Sequence, residues 1–306
     1  MMLKQFCKWL VMSTLLIFAL SSSRLAFAAS NNSNDQSINE KYGLPIVVYG
    51  AALSPAQKEE VRKLLGVTDT SKVTEITVTG QDAVTYIKGD PRSNMYSSAK
   101  ITRQDPGTGV MIKQATPENI TEVTNQMYAN ALITAGIKDA IVEVASPVKV
   151  SGHSALVGIY KAYDSGKGAD LNKDRTEVAN EELNLATNLA KKEGLNQDKV
   201  SELLTEIKKE IAAKNPATKD EIAQIVDTQL KTLSIQLSPQ DRQLLIDLFD
   251  KMRQLNINFS NVQSQLADLS KNIENRISQA VGDKGFLQAV SDFFKQLIDS
   301  IKRLFS

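Results

Sequence analysis

Apolar and polar residues change rhythm twice along this chain, and each change marks a different kind of segment. From Trp9 to Leu20 apolar residues dominate after Lys4 and Lys8, and Ala26-Phe27-Ala28 follows with small residues at the spacing a signal peptidase reads. Residues 1–28 are therefore predicted to be a secretory signal peptide cleaved near Ala28. The run falls short of the roughly 18 uninterrupted apolar residues of a spanning helix. Residues 29–41 are polar and aperiodic, the composition of a flexible leader.

From residue 42 to 168 strand-like and helix-like periods alternate. "LPIVVYGAA" (44–52) is a β-branched run of strand length, and "LSPAQKEEVRKLLG" starts as helices do, with Ser54 as N-cap, Pro55 in the first turn, Gln57 closing a capping box and Gly66 as the stop. "KVTEITVTG" (72–80) alternates as a second strand and is followed by a short helix around Asp82 to Lys88. "SSAKITRQ" and "GVMIKQ" flank Asp105-Pro106-Gly107-Thr108-Gly109, which predicts a β-hairpin. A helix is expected over 116–137, capped by Thr116 with Pro117 behind it and ended by Gly136. The strand "DAIVEVASPVKV" and the helix "SALVGIYKAY" complete an α/β domain on a mixed sheet.

Near residue 169 the β-branched alternation stops and long polar helices take over to residue 306. Three are separated by Gly194-Leu195-Asn196 and Asn215-Pro216, and Ser238-Pro239 opens another. Leu248, Met252, Leu255, Phe259, Val262, Leu266, Leu269, Ile273 and Ile277 then follow a 4-3-4-3 spacing over about four heptads, a coiled-coil-like seam that must face another helix. Asn256, Asn258 and Ser260 weaken its middle, so a break is expected at 256–260. The last segment, "GFLQAVSDFFKQLIDSIKRLFS", carries Phe286, Phe293, Phe294 and Leu297 on one face. It reads as an amphipathic helix that packs on the bundle, with peripheral contact to a membrane surface as the alternative. The fold class expected is an α/β domain over 42–168 followed by an all-α, elongated helical domain over 169–306.

Composition narrows the chemistry. Without residues 1–28 the chain keeps 33 basic residues (36 less Lys4, Lys8 and Arg24) against 35 acidic ones, a balance that gives no steering toward nucleic acid. It also loses Cys7, the one cysteine, which excludes disulfides and thiol nucleophiles. Gly152-His153-Ser154 lies between a strand and a helix as a serine nucleophile elbow would, but position 156 is Leu where the motif needs Gly. The single histidine adjoins that serine and is badly placed to act as its base. The simpler reading makes Gly152 the turn, Ser151 or Ser154 the helix cap, and His153 a solvated residue.

Asp170, Asn172, Asp174 and Glu181 occupy positions 1, 3, 5 and 12 of an EF-hand calcium loop, a set of hard oxygen ligands. Arg175 stands where that loop needs Gly. The competing reading is a linker in which Asp174 caps the next helix and Glu177, Glu181 and Glu182 favour its N-terminal end. No other cofactor is indicated.

Residues 119–163, "NITEVTNQMYANALITAGIKDAIVEVASPVKVSGHSALVGIYKAY", resemble the family of secreted bacterial proteins catalogued as domain of unknown function 1002, and "VVYGAALSPAQKEEVRKLLGV" resembles that family's first strand and helix. The resemblance implies an exported protein of Gram-positive bacteria and supplies no catalytic residues to carry over. The expectation is a secreted or envelope-associated, non-enzymatic binding or structural protein, with self-association through the helical part. The alternative is an envelope-directed enzyme with an acidic site that its pattern does not reveal.

Overall fold

The computed structural model describes residues 41–166, 170–192 and 194–281, all within one compact unit. The predicted signal peptide, the leader up to residue 40 and the amphipathic segment from residue 285 lie outside the described residues.

Five strands, β1 (Ile46–Gly50), β2 (Thr74–Val78), β3 (Ser98–Arg103), β4 (Val110–Gln114) and β5 (Ala140–Ala145), form one mixed sheet in the order β2-β1-β3-β5-β4. Helix α1 (Pro55–Leu64) connects β1 to its parallel neighbour β2, and α2 (Gly80–Ile87) follows. Ser54 caps α1 with Gln57 in a capping box, as its sequence predicts. Helix α3 (Asn125–Ala135) likewise connects β4 to β5, also parallel, so a βαβ unit sits at each edge and β3 runs antiparallel between them.

The predicted hairpin is therefore wrong. β3 and β4 are joined by the turn at 105–109 but do not pair, because β5 lies between them. The turn straddles the start of β5: Gly107 and Gly109 have φ of 91° and 81°, and their amides both donate to Asp139 Oδ1 at 2.9 Å. Local turn chemistry was read correctly, and a later strand took the partner's place.

The helix expected from Thr116 also begins later. Pro117–Asn119 makes one 3-10 turn, Ile120 bridges Val150, and α3 starts after Thr124, whose Oγ1 accepts from Met127 N at 3.2 Å. The Thr116 hydroxyl instead accepts from Ser146 N at 2.9 Å. This detour lets Ile120 and Val123 enter the core.

After α4 (His153–Asp164) come α5 (Lys173–Leu189), α6 (Gln197–Lys214), α7 (Lys219–Thr232), α8 (Pro239–Gln254) and α9 (Gln263–Val281). The expected break falls where Asn256 adopts φ 52°, and a 3-10 turn at Ser260–Val262 restarts the chain into α9. The seam's apolar residues turn inward on both sides of the break: Leu248, Met252, Phe259, Leu266 and Ile273 are all buried. The α9 half packs on α6.

One apolar cluster runs from Val48 and Val142 on the sheet through α3 and α4 to Phe249 and Leu266, so packing continues across the change of element type near residue 169. A second, smaller cluster under α1 holds Val47, Tyr49, Val61 and Leu65 on the opposite sheet face. Alternation along β1 explains the division, since Val47 and Tyr49 point one way and Val48 the other.

Candidate binding groove

The elbow residues close a turn. Gly152 itself is the N-cap of α4, at φ 106° and with no side-chain cap, so neither Ser151 nor Ser154 caps the helix. A Cβ there would come within 2.7 Å of Ile120 and 2.8 Å of the Tyr128 hydroxyl. That hydroxyl donates to the Gly152 carbonyl at 2.6 Å. His153 is half-buried rather than solvated: Nδ1 lies 3.1 Å from Ser151 Oγ and Nε2 3.3 Å from Thr187 Oγ1 on α5, and burial lowers its pKa. The only described histidine is thus a strut between α4 and α5.

The acidic loop is engaged residue by residue. Asn172 caps α5 by accepting from Arg175 N at 3.1 Å, the role the sequence assigned to Asp174, which lies in the helix's first turn. Glu181 pairs with Lys251 on α8, and Asp170 is exposed. Arg175 turns away from the loop and donates from Nε to the Thr134 carbonyl at 2.9 Å, near the end of α3. Among the described residues no three His, Cys, Asp or Glu side chains converge as metal ligands.

Polar residues converge elsewhere, in a groove of about 850 Å³ between the outer edge of β4, α3 and α9. Its floor is a stripe of α3, Asn125, Gln126, Ala129 and Ile133, on a helix buried from Gln126 to Ala135 because sheet and helices cover it on either side. Its far wall is a face of α9 flanking the buried seam of Leu266, Leu269 and Ile273, carrying Gln265, Asp268, Asn272 and Asn275 beside Leu269. Gly109 brings the two walls close: a Cβ there would lie 3.5 Å from Gln265 Cγ.

Three side-chain amide oxygens in this lining, Asn125 Oδ1, Gln126 Oε1 and Gln265 Oε1, are shut off from solvent without a hydrogen-bond partner among the described residues. Gln126 as a whole is 8% exposed. A buried acceptor left unpaired costs about 1–3 kcal/mol, and all three belong to residues of the groove lining, their oxygens turned into the packing behind it. The ionisable groups of the described lining are Asp268, Lys271 and Arg276, the last held by Asp198 at 3.1 Å.

A family model described as "Protein of unknown function (DUF1002)" matches residues 49–269, from β1 into α9. The chain belongs to this family. It is also 34% identical over 266 residues to "Uncharacterized protein YpuA" of Bacillus subtilis (strain 168), across 85% of this chain and 89% of the relative. No solved structure matches.

Within this family member a second polar cluster forms a contrast. Lys208 and Glu182, both essentially unexposed, pair at 2.6 Å at the heart of the helices. Lys208 Nζ also donates to the Asn130 carbonyl at 2.8 Å, and Thr134 Oγ1 donates to Glu182 Oε2 at 2.6 Å. Burial pulls the Lys208 pKa down while Glu182 opposes the shift. In sequence Glu182 reads with Glu177 and Glu181 as an acid that favours the N-terminal end of α5. The overlooked signal was Lys208 itself, which falls on the apolar stripe of Leu204, Ile207 and Ile211. The groove left a fainter trace, because Asn125, Gln126 and Gln265 read in sequence as ordinary polar residues of helix surfaces.

Proposed function

We propose that this is an exported, non-enzymatic binding protein that takes its ligand into the groove between β4, α3 and α9. The observation that carries the reading is a groove of about 850 Å³ whose walls bear carboxamide side chains, among them Asn272 and Asn275, beside the outer edge of β4. Carboxamides offer donors and an acceptor and no proton-transfer chemistry near neutral pH, so they suit recognition. Export is supported by the basic and apolar segment of residues 1–28.

Two measurements test this. Expression of the full chain in a Gram-positive host, followed by fractionation and N-terminal sequencing, is expected to recover the protein outside the cytoplasm with a terminus near Ala29. An unprocessed cytoplasmic chain would refute export. For binding, the exposed groove-wall residue Asn272 is replaced by Trp to fill the space. Ligands selected by the wild-type chain from mixed peptide and glycan-fragment libraries are expected to be lost by Asn272→Trp, with melting temperature unchanged. Equal retention by both chains would remove the groove from the account.

A further inference from the structure

We infer that the groove's ligand is an extended segment of another polypeptide, which adds to the sheet as a sixth strand along β4. This rests on the binding reading above and names its ligand class.

The first support is the outer edge of β4, which pairs with no strand among the described residues. In the parallel pairing with β5, the Gly109 carbonyl accepts from Ala140 N at 3.1 Å and Ala115 N donates to the Val144 carbonyl at 2.8 Å. Main-chain groups alternate in direction along a strand, so those of 109, 111, 113 and 115 face β5 and those of Val110 and Ile112 face the groove. Both residues line it. An edge strand with unpaired main-chain groups is a template for another chain.

The second support is the chemistry opposite. A strand lying on β4 has its own second edge, about 4.8 Å farther out, and that edge needs partners. Across the groove stand the exposed carboxamides of Asn272 and Asn275. A carboxamide presents the same donor and acceptor groups as a peptide unit, so these side chains can continue the ladder where no further strand follows.

The third support is what the lining selects against. Among the described residues it holds no aromatic ring on which a sugar face would stack, and its charges are mixed in sign, so it does not call for a polyanion. Ala129, Ile133 and Leu269 offer apolar contact to side chains pointing down from an extended chain.

The test uses the full chain and a library of capped heptapeptides, beside a library of glycan fragments of similar mass, with affinity selection read by mass spectrometry. Selected peptides are then remade with N-methyl groups on alternate residues, in both phases. N-methylation in the phase that faces β4 is expected to weaken binding at least about tenfold, the effect of losing one or two main-chain hydrogen bonds. Val110→Pro, which removes an outward N–H at the first residue of an edge strand where proline is tolerated, is expected to weaken binding similarly. Should that variant misfold, the N-methyl series on wild-type protein decides alone.

Binding indifferent to N-methylation in either phase would overturn strand addition. Selection of glycan fragments and no peptides, lost in Asn272→Trp, would overturn the peptide while leaving the groove a binding site. Selection of nothing from either library would overturn both readings. Peptides that bind only after deletion of residues 29–40 would assign the groove to the chain's own leader and overturn a separate partner.

Discussion

Two polar clusters meet on neighbouring faces of α3, where Gln126 stands one turn before Asn130, and they are built by opposite rules. Toward α5 and α6, Asn130 and Thr134 join Lys208 and Glu182 in a network whose charged groups all have partners. Toward β4 and α9, Asn125, Gln126 and Gln265 hold buried acceptors that have none among the described residues. Satisfied burial specifies a packing arrangement, whereas unsatisfied burial is a cost that folding alone does not recover. One helix thus carries a structural face and a recognition face.

The comparison can be broken most severely at the ion pair. Lys208→Met leaves Glu182 charged and alone in the core and is expected to cost about 3–5 kcal/mol in urea denaturation. The double variant Lys208→Met with Glu182→Leu is expected to regain most of that loss. A single variant as stable as the wild type would show that the network is not structural.

Gly152→Ala comes next. A residue with a Cβ must hold φ near 106° and displace Tyr128 and Ile120, for an expected loss of about 3 kcal/mol. Ser154→Ala, by contrast, removes no cap and is expected to stay within about 0.5 kcal/mol of wild type. A Ser154 variant that loses more than the Gly152 variant would reverse the account of this turn.

On the recognition face the sign should invert. Gln126→Leu removes an unpaired buried acceptor and is expected to stabilise the fold by about 1 kcal/mol. Destabilisation by that variant would mean that Gln126 already has a partner in the folded protein.

The smallest effect concerns the support of the groove wall. On α6, Glu202 is pushed up to about 7, first by burial and then by the like charges of Glu206 and Glu274, against Lys199 and Lys209. Its folded pKa lies above the ordinary value of 4.5, so its contribution to stability is lost as pH rises through 7 and restored as pH falls. Discounted for a partly exposed site, the effect is expected to raise the melting temperature by about 1–2 °C from pH 8 to 6.5. His153, whose pKa is lowered, opposes the gain increasingly as pH falls toward and through its ordinary value of 6.5. The rise should vanish in Glu202→Gln, and a rise that persists there would assign it to another group.

Sequence exposed these two faces unequally. Helix starts written in adjacent residues were legible: Ser54 with Pro55, Ser238 with Pro239, and the stop at Gly136 all stand where their chemistry predicts. The β3–β4 hairpin failed because pairing partners are decided by β5, some 30 residues later. Lys208 on an apolar stripe was readable but unread. The groove was not readable, because β4, α3 and α9 come from distant parts of the chain and a carboxamide bound for a buried wall looks no different from one bound for water. Family membership rests on the length of the match and brings no site with it.

The most direct test of the central claim is residue-resolved amide hydrogen exchange of β4 in the full chain, with and without a saturating heptapeptide from the selection. Strand addition predicts that the outward amides of Val110 and Ile112 slow by more than about tenfold on binding. The inward amides of Met111 and Lys113, already paired with β5, should change far less. Saturation of the protein with Val110 and Ile112 exchanging as fast as before would contradict the account.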